Sequence, residues 1–257
     1  MDSGRTGGNP RSGSAAMPVR PLSPLLLSQP REIPVPSLTV ENYVKTIHQI
    51  TAAQQGGAAT TGQIASALDV SPGTVTSMLK TLDAARLATH RPYEGVSLTQ
   101  SGRLLALRVI RRHRLLELFL LRTLDMNWDE VHDEAEHMEH AVSDLLVDRI
   151  DAYLGHPRVD PHGDPIPRAD DDAVADDDLP PPRSLADCPA GSRFRITRVL
   201  DQSAGFLRYL TDSGLVLGTE GEVERNPDGA ALMRVRLGRR PLALAIEAAG
   251  KLVVAEG

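Results

Sequence analysis

Histidine and glutamate residues recur at helical spacing between residues 113 and 140, a stretch that holds four of the eight histidines. On a helix, residues four, seven and eight positions apart share one face. One such set is His132, Glu136, Glu139 and His140, and a second set, further upstream, is His113 and Glu117. Two neighbouring antiparallel helices can present these imidazoles and carboxylates to a common cavity, which is how helical proteins usually build metal sites.

The donor types indicate which metals such a cavity would hold. Carboxylate oxygen is a hard ligand, and here it stands beside imidazole nitrogen with no thiolate. This set suits Mn(II) or Fe(II) better than Cu(I) or structural zinc. The alternative is a solvent-facing helix that carries ordinary surface Glu and His residues. One isolated pair would favour that alternative, whereas matched spacings on two helices favour a metal site.

An enzyme is not expected. A helical di-metal enzyme would need a pair of Glu-x-x-His motifs, and a zinc peptidase would need His-Glu-x-x-His, and the chain carries neither. There is also no nucleophile–base pairing and no glycine-rich phosphate loop. A helical metalloenzyme and a purely structural interaction module therefore remain distant alternatives to a metal-responsive regulator.

A second group of residues favours DNA binding. A helix that enters the major groove needs small or polar side chains near its N-terminus, because its backbone approaches the bases and phosphates closely. The candidate DNA-binding residues are Ser71, Pro72, Gly73, Thr74, Thr76, Ser77, Lys80 and Arg91. Further candidates for phosphate contacts are His90, Arg103, Arg108, Arg111 and Arg112. A three-helix core with a polar surface and no DNA partner is the alternative that the same pattern leaves open.

The elements that position these residues follow the order of a winged helix. Apolar residues at three- and four-residue intervals predict three helices, near residues 38–50, 61–68 and 72–82. Thr61 and Ser71 are suitable caps for the second and third helices. A short hairpin is predicted next, because the β-prone runs at 87–90 and 96–99 flank a turn-forming Pro-Tyr-Glu-Gly sequence.

Two longer helices are predicted to carry the metal ligands, one at 101–124 and one at 127–154. The fold class is therefore mainly α with a small β component. By composition and pattern the chain divides into a disordered tail at 1–36, a winged-helix domain at 37–100, a helical metal-binding domain at 101–156, a Pro- and Asp-rich linker at 157–190 and a small β-barrel at 191–257.

Charge is segregated along the chain. The net charge is −6, but residues 37–125 have a balance of +4 and residues 126–180 a balance of −14. The first region could approach phosphate, and the second could attract cations. A single cysteine excludes a disulfide framework and a Cys-rich zinc site, and no apolar run approaches the roughly 18 residues of a membrane span. These features favour a cytoplasmic protein with no membrane partner.

Four motifs resemble the diphtheria toxin repressor family. They are the run from Val131 to His140 followed by Ser143-Asp144, the run from Arg111 to Glu117, Leu98-Thr99-x-x-Gly102, and the run from Gly163 to Pro167. The resemblance covers residues 38–168 in order, and residues 191–257 are similar to the family's C-terminal SH3-like barrel in length, position and pattern. It implies a homodimeric transcriptional repressor of metal-uptake genes that dimerises through residues 101–156 and binds a palindromic double-stranded DNA operator. No small organic ligand is expected.

The resemblance also implies two metal sites. The primary site would contain Glu136, Glu139 and His140 with Asn42 from the first helix. The second would contain His113, Glu117 and His132, completed by Asp201 and Gln202 of the barrel. The family's iron sensors carry Cys where this chain has Glu136, and its manganese sensors carry Glu, so Mn(II) is the expected cofactor and an Fe(II)-dependent regulator is the alternative.

Two departures from the manganese sensors shape this expectation. Asn42 stands where they have Asp, and Lys45 stands where they have Glu. An amide oxygen can bind a metal but brings no charge, and an ammonium group cannot bind one. Two separate sites are therefore expected, rather than one closely spaced pair of ions.

Overall fold

The helices of the N-terminal domain begin at capping residues. In the computed structural model, which describes residues 37–54, 56–91, 94–168, 183–225 and 231–257, the first three helices are α1 (Leu38–Ala53), α2 (Thr61–Leu68) and α3 (Pro72–Ala84). Ser71 caps α3 as predicted, and Pro72 occupies its first turn. For α2 the cap is Thr60 rather than the predicted Thr61, because Thr60 and Gln63 form a reciprocal capping box. The predicted tail at 1–36 lies outside the described residues.

The predicted hairpin forms the wing of this domain. Strands β1 (Ala88–Arg91) and β2 (Gly95–Leu98) are antiparallel, with Ala88 opposite Leu98 and Arg91 opposite Gly95. One core joins the wing to the three helices, since Val44 of α1, Leu79 of α3 and Val96 of β2 are all buried in it. The predicted winged-helix order is therefore confirmed.

Three helices follow where two were predicted. They are α4 (Gln100–Leu124), α5 (Val131–Met138) and α6 (Asp144–Tyr153). The prediction of one helix over 127–154 was wrong, because the chain turns after Met138 and Ser143 starts a new helix by accepting a hydrogen bond from the Leu146 amide. Helix α4 packs against α1 on one side and against α5 on another.

The structure corrects the predicted linker at both of its ends. Residues 157–168 form a packed loop in which Asp160, His162 and Ile166 are buried. Its Pro and Asp content suggests a solvated chain, but Arg114 of α4 lies beside Asp160 and compensates its charge. Residues 183–187 form strand β3 (Arg183–Ser184) and a 3₁₀ turn, and Leu185 of that turn enters the core of the last domain. The middle of the predicted linker, 169–182, lies outside the described residues.

The C-terminal domain is an antiparallel sheet with two helices. The strands that follow β3 are β4 (Arg193–Val199), β5 (Glu220–Val223), β6 (Leu232–Leu237), β7 (Arg240–Ala245) and β8 (Leu252–Glu256), and the helices are α7 (Ala204–Ser213) and α8 (Ile246–Gly250). The strand order in the sheet is β3-β8-β4-β5-β6-β7. Phe194, Ile196 and Leu207 are among the fully buried side chains of its core. Alternation of buried and exposed residues along β4 and β6 explains the short apolar runs in the sequence.

The loop at 157–168 attaches this sheet to the helical domain. The Val199 amide donates a hydrogen bond to the His162 carbonyl, and Arg198 forms an ion pair with Asp164. Gly163 has a positive φ of 88° and lies so close to Thr197 that a Cβ atom would overlap its carbonyl oxygen. In the part of the chain that the structure describes, no helix is long and apolar enough to cross a membrane.

Close packing of α4 against the wing yields a test of the fold. A Cβ atom on Gly102 would overlap the Leu87 carbonyl oxygen, whereas a Cβ on Gly205 of α7 would meet nothing within 4 Å. We expect Gly102→Ala to lower the free energy of unfolding by about 2 kcal/mol, because overpacking outweighs the gain in helix propensity. Gly205→Ala, the matched control, should leave it unchanged or raise it by up to about 1 kcal/mol. Urea unfolding followed by circular dichroism measures both, and equal effects would contradict the packing of α4 on the wing.

Candidate metal centre and nucleic-acid interface

His113 and Glu117 lie at the centre of a buried polar cluster. They are four residues apart on α4 and face the same side, as their spacing predicts. The protonated His113 ring donates from Nε2 to Glu117 Oε1 at 3.0 Å and from Nδ1 to Glu139 Oε2 at 2.7 Å. Burial opposes this protonation, but the hydrogen bonds to the two carboxylates outweigh it and raise the pKa of His113 to about 9.

Glu117 is completely buried, and three imidazoles lie around its carboxylate. His132 of α5 donates from Nδ1 to Glu117 Oε1 at 3.1 Å, and His162 Nδ1 lies 3.8 Å from Glu117 Oε2. Burial alone would raise the pKa of Glu117, but the hydrogen bonds from His113 and His132, together with the nearby His162 imidazole, hold it well below its usual range. Glu117 is therefore a carboxylate in the folded protein and can act as a metal ligand.

Glu136 and Glu139 form the second part of the cluster, together with Lys45. The Lys45 ammonium of α1 donates to Glu136 Oε1 at 2.6 Å and to both oxygens of Glu139, at 3.0 and 2.9 Å. Glu139 is completely buried at the end of α5, whereas the Glu136 side chain is 40% exposed. Burial raises the pKa of Glu136, but the adjacent Lys45 charge and hydrogen bond bring it below its ordinary value.

The structure places His140 beside a residue that the sequence did not single out. His140 lies in the turn after α5, and its Nδ1 donates to Glu41 Oε2 at 2.6 Å. Its Nε2 is buried, lies 3.2 Å from Glu139 Oε1 and makes no hydrogen bond within the described residues. The side-chain oxygen of Asn42, the predicted ligand from α1, is likewise buried without a hydrogen-bond partner in the described chain. Both atoms could accept a metal ion.

Asp160 and His162 join the cluster from the loop that was predicted to be a linker. Ligand atoms of Glu117, Asp160 and His162 lie within 4.8 Å of one another, and all three residues are buried. Burial and the nearby carboxylates of Asp164 and Glu117 raise the pKa of Asp160 to about 6. The only sequence signal for these two residues was the neighbouring Gly163–Pro167 motif, which indicated that the segment resembles the family but did not indicate which of its residues could bind metal.

Asp201 does not join the predicted second site. Its Oδ2 accepts a hydrogen bond from Lys251 at 2.6 Å and its Oδ1 accepts one from the Ser203 amide. The hydrogen bond from Lys251 lowers the pKa of Asp201 to about 2. Gln202 donates to Asp164 instead. In the described residues, His113, Glu117 and His132 are brought together as predicted, and the groups from outside the two helices are Asp160 and His162.

The side chains present fit a divalent metal ion. Three groups place one ligand atom from each member within 4.8 Å of the others: His113 with Glu117 and His132, His113 with Glu136 and Glu139, and Glu117 with Asp160 and His162. Glu117 Oε2 and His162 Nδ1 are buried and lack hydrogen-bond partners among the described residues. Such polar atoms are costly to bury unless something binds them, and an ion would satisfy them. Their oxygen and nitrogen atoms match the hard ligand set that the sequence predicts.

The candidate DNA-binding residues form an exposed surface on α3 and the wing. Val75, Leu79 and Leu82 turn inward. The residues that face solvent are Ser71, Pro72, Gly73, Thr74, Thr76, Ser77, Lys80 and Arg91. Ser71 accepts a hydrogen bond from the Thr74 amide and so leaves the small first turn of α3 accessible. The small and polar side chains of this surface are of the kind that a close approach to DNA requires.

Arg111 and Arg112 do not belong to that surface, which corrects their prediction as phosphate contacts. Arg111 forms an ion pair with Asp151 of α6 at 3.0 Å and donates to the Pro167 carbonyl. Arg112 joins Glu41 of α1 to Asp144 of α6, at 3.4 and 2.8 Å. Both side chains are largely buried, so their charges serve the contacts among helices.

Family models match three consecutive segments of the chain. Residues 37–96 match the iron dependent repressor, N-terminal DNA binding domain, and residues 99–168 match the iron dependent repressor, metal binding and dimerisation domain. Residues 183–256 match the FeoA domain. The chain belongs to the family of the diphtheria toxin repressor. Members of this family are metal-dependent, DNA-binding transcriptional repressors, so the enzyme alternative has no support.

Curated relatives agree with this membership. The iron-dependent repressor IdeR of Mycobacterium tuberculosis is 31% identical over 200 residues, which cover 74% of this chain and 86% of that protein. The diphtheria toxin repressor of Corynebacterium diphtheriae is 29% identical over 191 residues, covering 72% and 84%. The matched DNA-binding and dimerisation domains identify DNA and a second copy of the chain as partners of this repressor family member.

Solved structures share the fold over most of the chain. A manganese-dependent transcriptional repressor in complex with manganese is 38% identical, covers 85% of this chain and 100% of that chain, and has a TM-score of 0.75. ScaR with bound zinc is 30% identical, covers 85% and 99%, and has a TM-score of 0.69. The predicted mainly α fold with a winged helix, a helical metal-binding domain and a C-terminal SH3-like domain is confirmed.

The central position of Glu117 generates a prediction about stability. Glu117→Gln keeps the side-chain volume but removes the charge that three imidazoles face, so we expect the free energy of unfolding of chelator-treated protein to fall by about 3 kcal/mol. Glu134→Gln on the exposed side of α5 is the control and should change it by less than about 0.5 kcal/mol. Chemical unfolding in the presence of a chelator measures both. A Glu117→Gln variant as stable as the control would show that Glu117 does not organise the cluster.

Proposed function

We propose that this chain is a manganese-responsive repressor that binds a palindromic operator as a homodimer and controls metal-uptake genes. The observation that carries the proposal is the ligand set of the buried cluster, in which carboxylates and imidazoles converge without a thiolate. Mn(II) forms the weakest complexes of its series, so ligand type and geometry must select it, and hard oxygen ligands favour it over softer competitors. The solved repressor in complex with manganese, 38% identical to this chain, supports the same conclusion.

The proposed primary site consists of Asn42, Glu136, Glu139 and His140. Its members come from α1 and from the end of α5, so the site joins the DNA-binding domain to the metal-binding domain. A bound divalent ion would supply the positive charge that holds these ligands together. His113, Glu117 and His132 are proposed for the second site, and Asp160 and His162 are its nearest further ligands.

Contacts already present connect the primary site to DNA recognition. Glu41 of α1 accepts hydrogen bonds from His140 and Arg112, and Lys45 of α1 contacts Glu136 and Glu139. The same helix contributes Val44 and Ile47 to the core of the winged helix. A change at α5 is therefore transmitted through α1 to the domain that carries α3. If metal favours the DNA-binding arrangement, DNA must favour metal binding to the same extent.

Exposed apolar residues of the helical domain support the proposed dimer. Leu145, Leu146 and Tyr153 of α6 are exposed, as is Leu124 at the end of α4. Large apolar side chains left exposed on a folded domain are candidates for protein–protein contacts. Residues 99–168, which contain them, match the family's metal binding and dimerisation domain. A twofold dimer presents two copies of α3, which is why an operator with inverted half-sites is proposed.

An iron-dependent regulator is the second candidate. The Mycobacterium tuberculosis relative is named as an iron-dependent repressor, and imidazole and carboxylate also suit Fe(II). The presence of Glu136, where the iron sensors carry Cys, favours manganese.

Metal-dependent DNA binding tests the proposed function. The probe is a duplex selected by the Mn(II)-loaded protein from a randomised pool, and the selected sequences are expected to contain inverted repeats. We expect Mn(II) to tighten binding of this duplex by about 5- to 150-fold at fixed salt, measured by fluorescence anisotropy. Glu139→Gln should remove the enhancement and Glu134→Gln should keep it. Equal affinity with and without Mn(II) would exclude the metal switch.

Metal preference tests the role assigned to Glu136. Replacing this carboxylate by a thiolate makes the ligand set softer, so Glu136→Cys should shift the activating preference from Mn(II) towards Fe(II) or Zn(II). The measurement is anaerobic anisotropy titration of the same duplex with each metal in turn. Glu136→Asp, which keeps the oxygen ligand, is the control. An unchanged ranking of metals in the Cys variant would show that Glu136 does not determine selectivity.

A further inference from the structure

The Lys45 ammonium occupies an unusual position for a lysine of a metal-binding protein. It is buried, and it lies 2.6 Å from Glu136 Oε1, 2.9 and 3.0 Å from the oxygens of Glu139 and 3.4 Å from His113 Nδ1. These three residues are one of the groups whose ligand atoms converge within 4.8 Å. The ammonium therefore lies among the same atoms that would surround a metal ion.

An ammonium and a divalent ion cannot use these carboxylates together. Each oxygen of Glu139 already accepts from Lys45, and a second cation within a few ångströms would be repelled by it in a partly desolvated site. Lys45 is the only lysine or arginine that the described contacts place beside Glu139, and the other basic neighbours are the imidazoles of His113 and His140. Glu139 can therefore bind the Lys45 ammonium or a metal ion, but not both at once.

We propose that Lys45 is a tethered competitor of the metal ion, which neutralises Glu136 and Glu139 when metal is scarce and must be displaced before the primary site is filled. Lys45 thereby sets the metal concentration at which the repressor becomes loaded. This inference rests on the proposed function, since it takes Glu136 and Glu139 as metal ligands. A tethered cation lowers the apparent affinity of the site without changing which ligands it contains.

The surroundings provide a route for the displaced group. Glu139 is completely buried, but the Glu136 side chain is 40% exposed, so the cluster opens to solvent on the side where the shortest Lys45 contact lies. A lysine side chain can keep its aliphatic stem in place and carry its charge outward. The ammonium therefore leaves the carboxylates past Glu136 and becomes accessible when metal binds.

The position of Lys45 on α1 gives the displacement a consequence for the DNA-binding domain. Lys45 lies one turn from Glu41, which binds His140 and Arg112, and between Val44 and Thr46 of the same buried stretch. When metal replaces the ammonium, the two ion pairs of Lys45 with Glu136 and Glu139 are lost, and metal coordination takes their place in joining α1 to α5. The winged helix is held against α5 in both cases, but by different atoms.

Metal affinity of a charge-deleted variant is the first test. Lys45→Met keeps the stem and removes the charge, and Arg122→Met on the exposed end of α4 is the matched control. In calorimetric titration with Mn(II) alone, we expect the dissociation constant of Lys45→Met to be at least about tenfold lower than that of wild type, because no cation must be displaced. Arg122→Met should match wild type. Affinity in Lys45→Met that is equal to or weaker than wild type would overturn the proposal.

Stability without metal separates competition from a general loss of structure. In chelator, Lys45→Met should unfold at a lower temperature than wild type, because the buried Glu139 loses its cation. Saturating Mn(II) should remove that difference. A Lys45→Met variant that stays less stable than wild type at saturating Mn(II) would contradict the exchange of one cation for the other.

Chemical labelling tests the same inference in the wild-type protein, so it does not depend on a variant that folds. The chain has only three lysines, Lys45, Lys80 and Lys251, and acylation of each by an amine-reactive ester can be followed by mass spectrometry. The labelling rate of Lys45 is expected to rise several-fold on addition of Mn(II), while that of the exposed Lys80 stays constant. A rate for Lys45 that Mn(II) does not raise would overturn the proposal.

The outcomes distinguish this inference from the proposed function. If Mn(II) binds wild type and enhances DNA binding but Lys45→Met has unchanged affinity, the proposed function stands and the competition is refuted. If Lys45→Met binds Mn(II) more tightly but Mn(II) does not affect DNA binding of either protein, the competition stands and the regulatory function fails. If neither protein binds Mn(II), both are refuted.

Discussion

Burial of two carboxylates is the constraint on which the rest of the structure depends. Glu117 and Glu139 have no exposed side-chain surface. An isolated buried charge is so costly that it must be paired or bind a metal. Each therefore collects positive or hydrogen-donating groups, His113 and His132 at Glu117 and Lys45 and His113 at Glu139. His113 touches both, so the two carboxylates belong to a single electrostatic unit.

This unit determines how the domains are connected. Its members come from α1, which packs in the core of the winged helix, and from α4, α5 and the loop at 157–168, which share the core of the helical domain. The same loop attaches the C-terminal sheet, since His162 and Asp164 contact Val199 and Arg198. A divalent ion that binds the cluster would therefore act where the winged helix, the helical domain and the C-terminal domain all meet. An ion bound there would change contacts that the winged helix shares with the helical domain, so metal binding at this position can alter DNA affinity.

Local sequence signals predicted the winged helix and the order of its parts. Ser71 followed by Pro72 marked the start of α3, and the apolar residues Val75, Leu79 and Leu82 defined its buried face, because both features depend on residues close together in the chain. Longer-range features were predicted less well. A continuous helix over 127–154 was wrong, since the break at 139–143 does not interrupt the apolar periodicity strongly. The linker prediction was wrong at both ends. Composition does not reveal that Arg114 and Arg198 compensate Asp160 and Asp164 at the first end, or that Leu185 enters the core of the last domain at the second.

The metal site shows the same division. Spacing by itself determined that His113 and Glu117 share one face and that His132 and Glu136 share another, because an α-helix has a constant period. Only the tertiary structure decided what faces them. Lys45 reaches Glu139 across 94 residues of chain and His140 reaches Glu41 across 99, while Asp160 and His162 enter from a loop and Asp201 pairs with Lys251 instead. Contacts of this kind depend on how helices and loops pack and on which buried charges must be compensated between them. The helical period of a single segment determines neither of these.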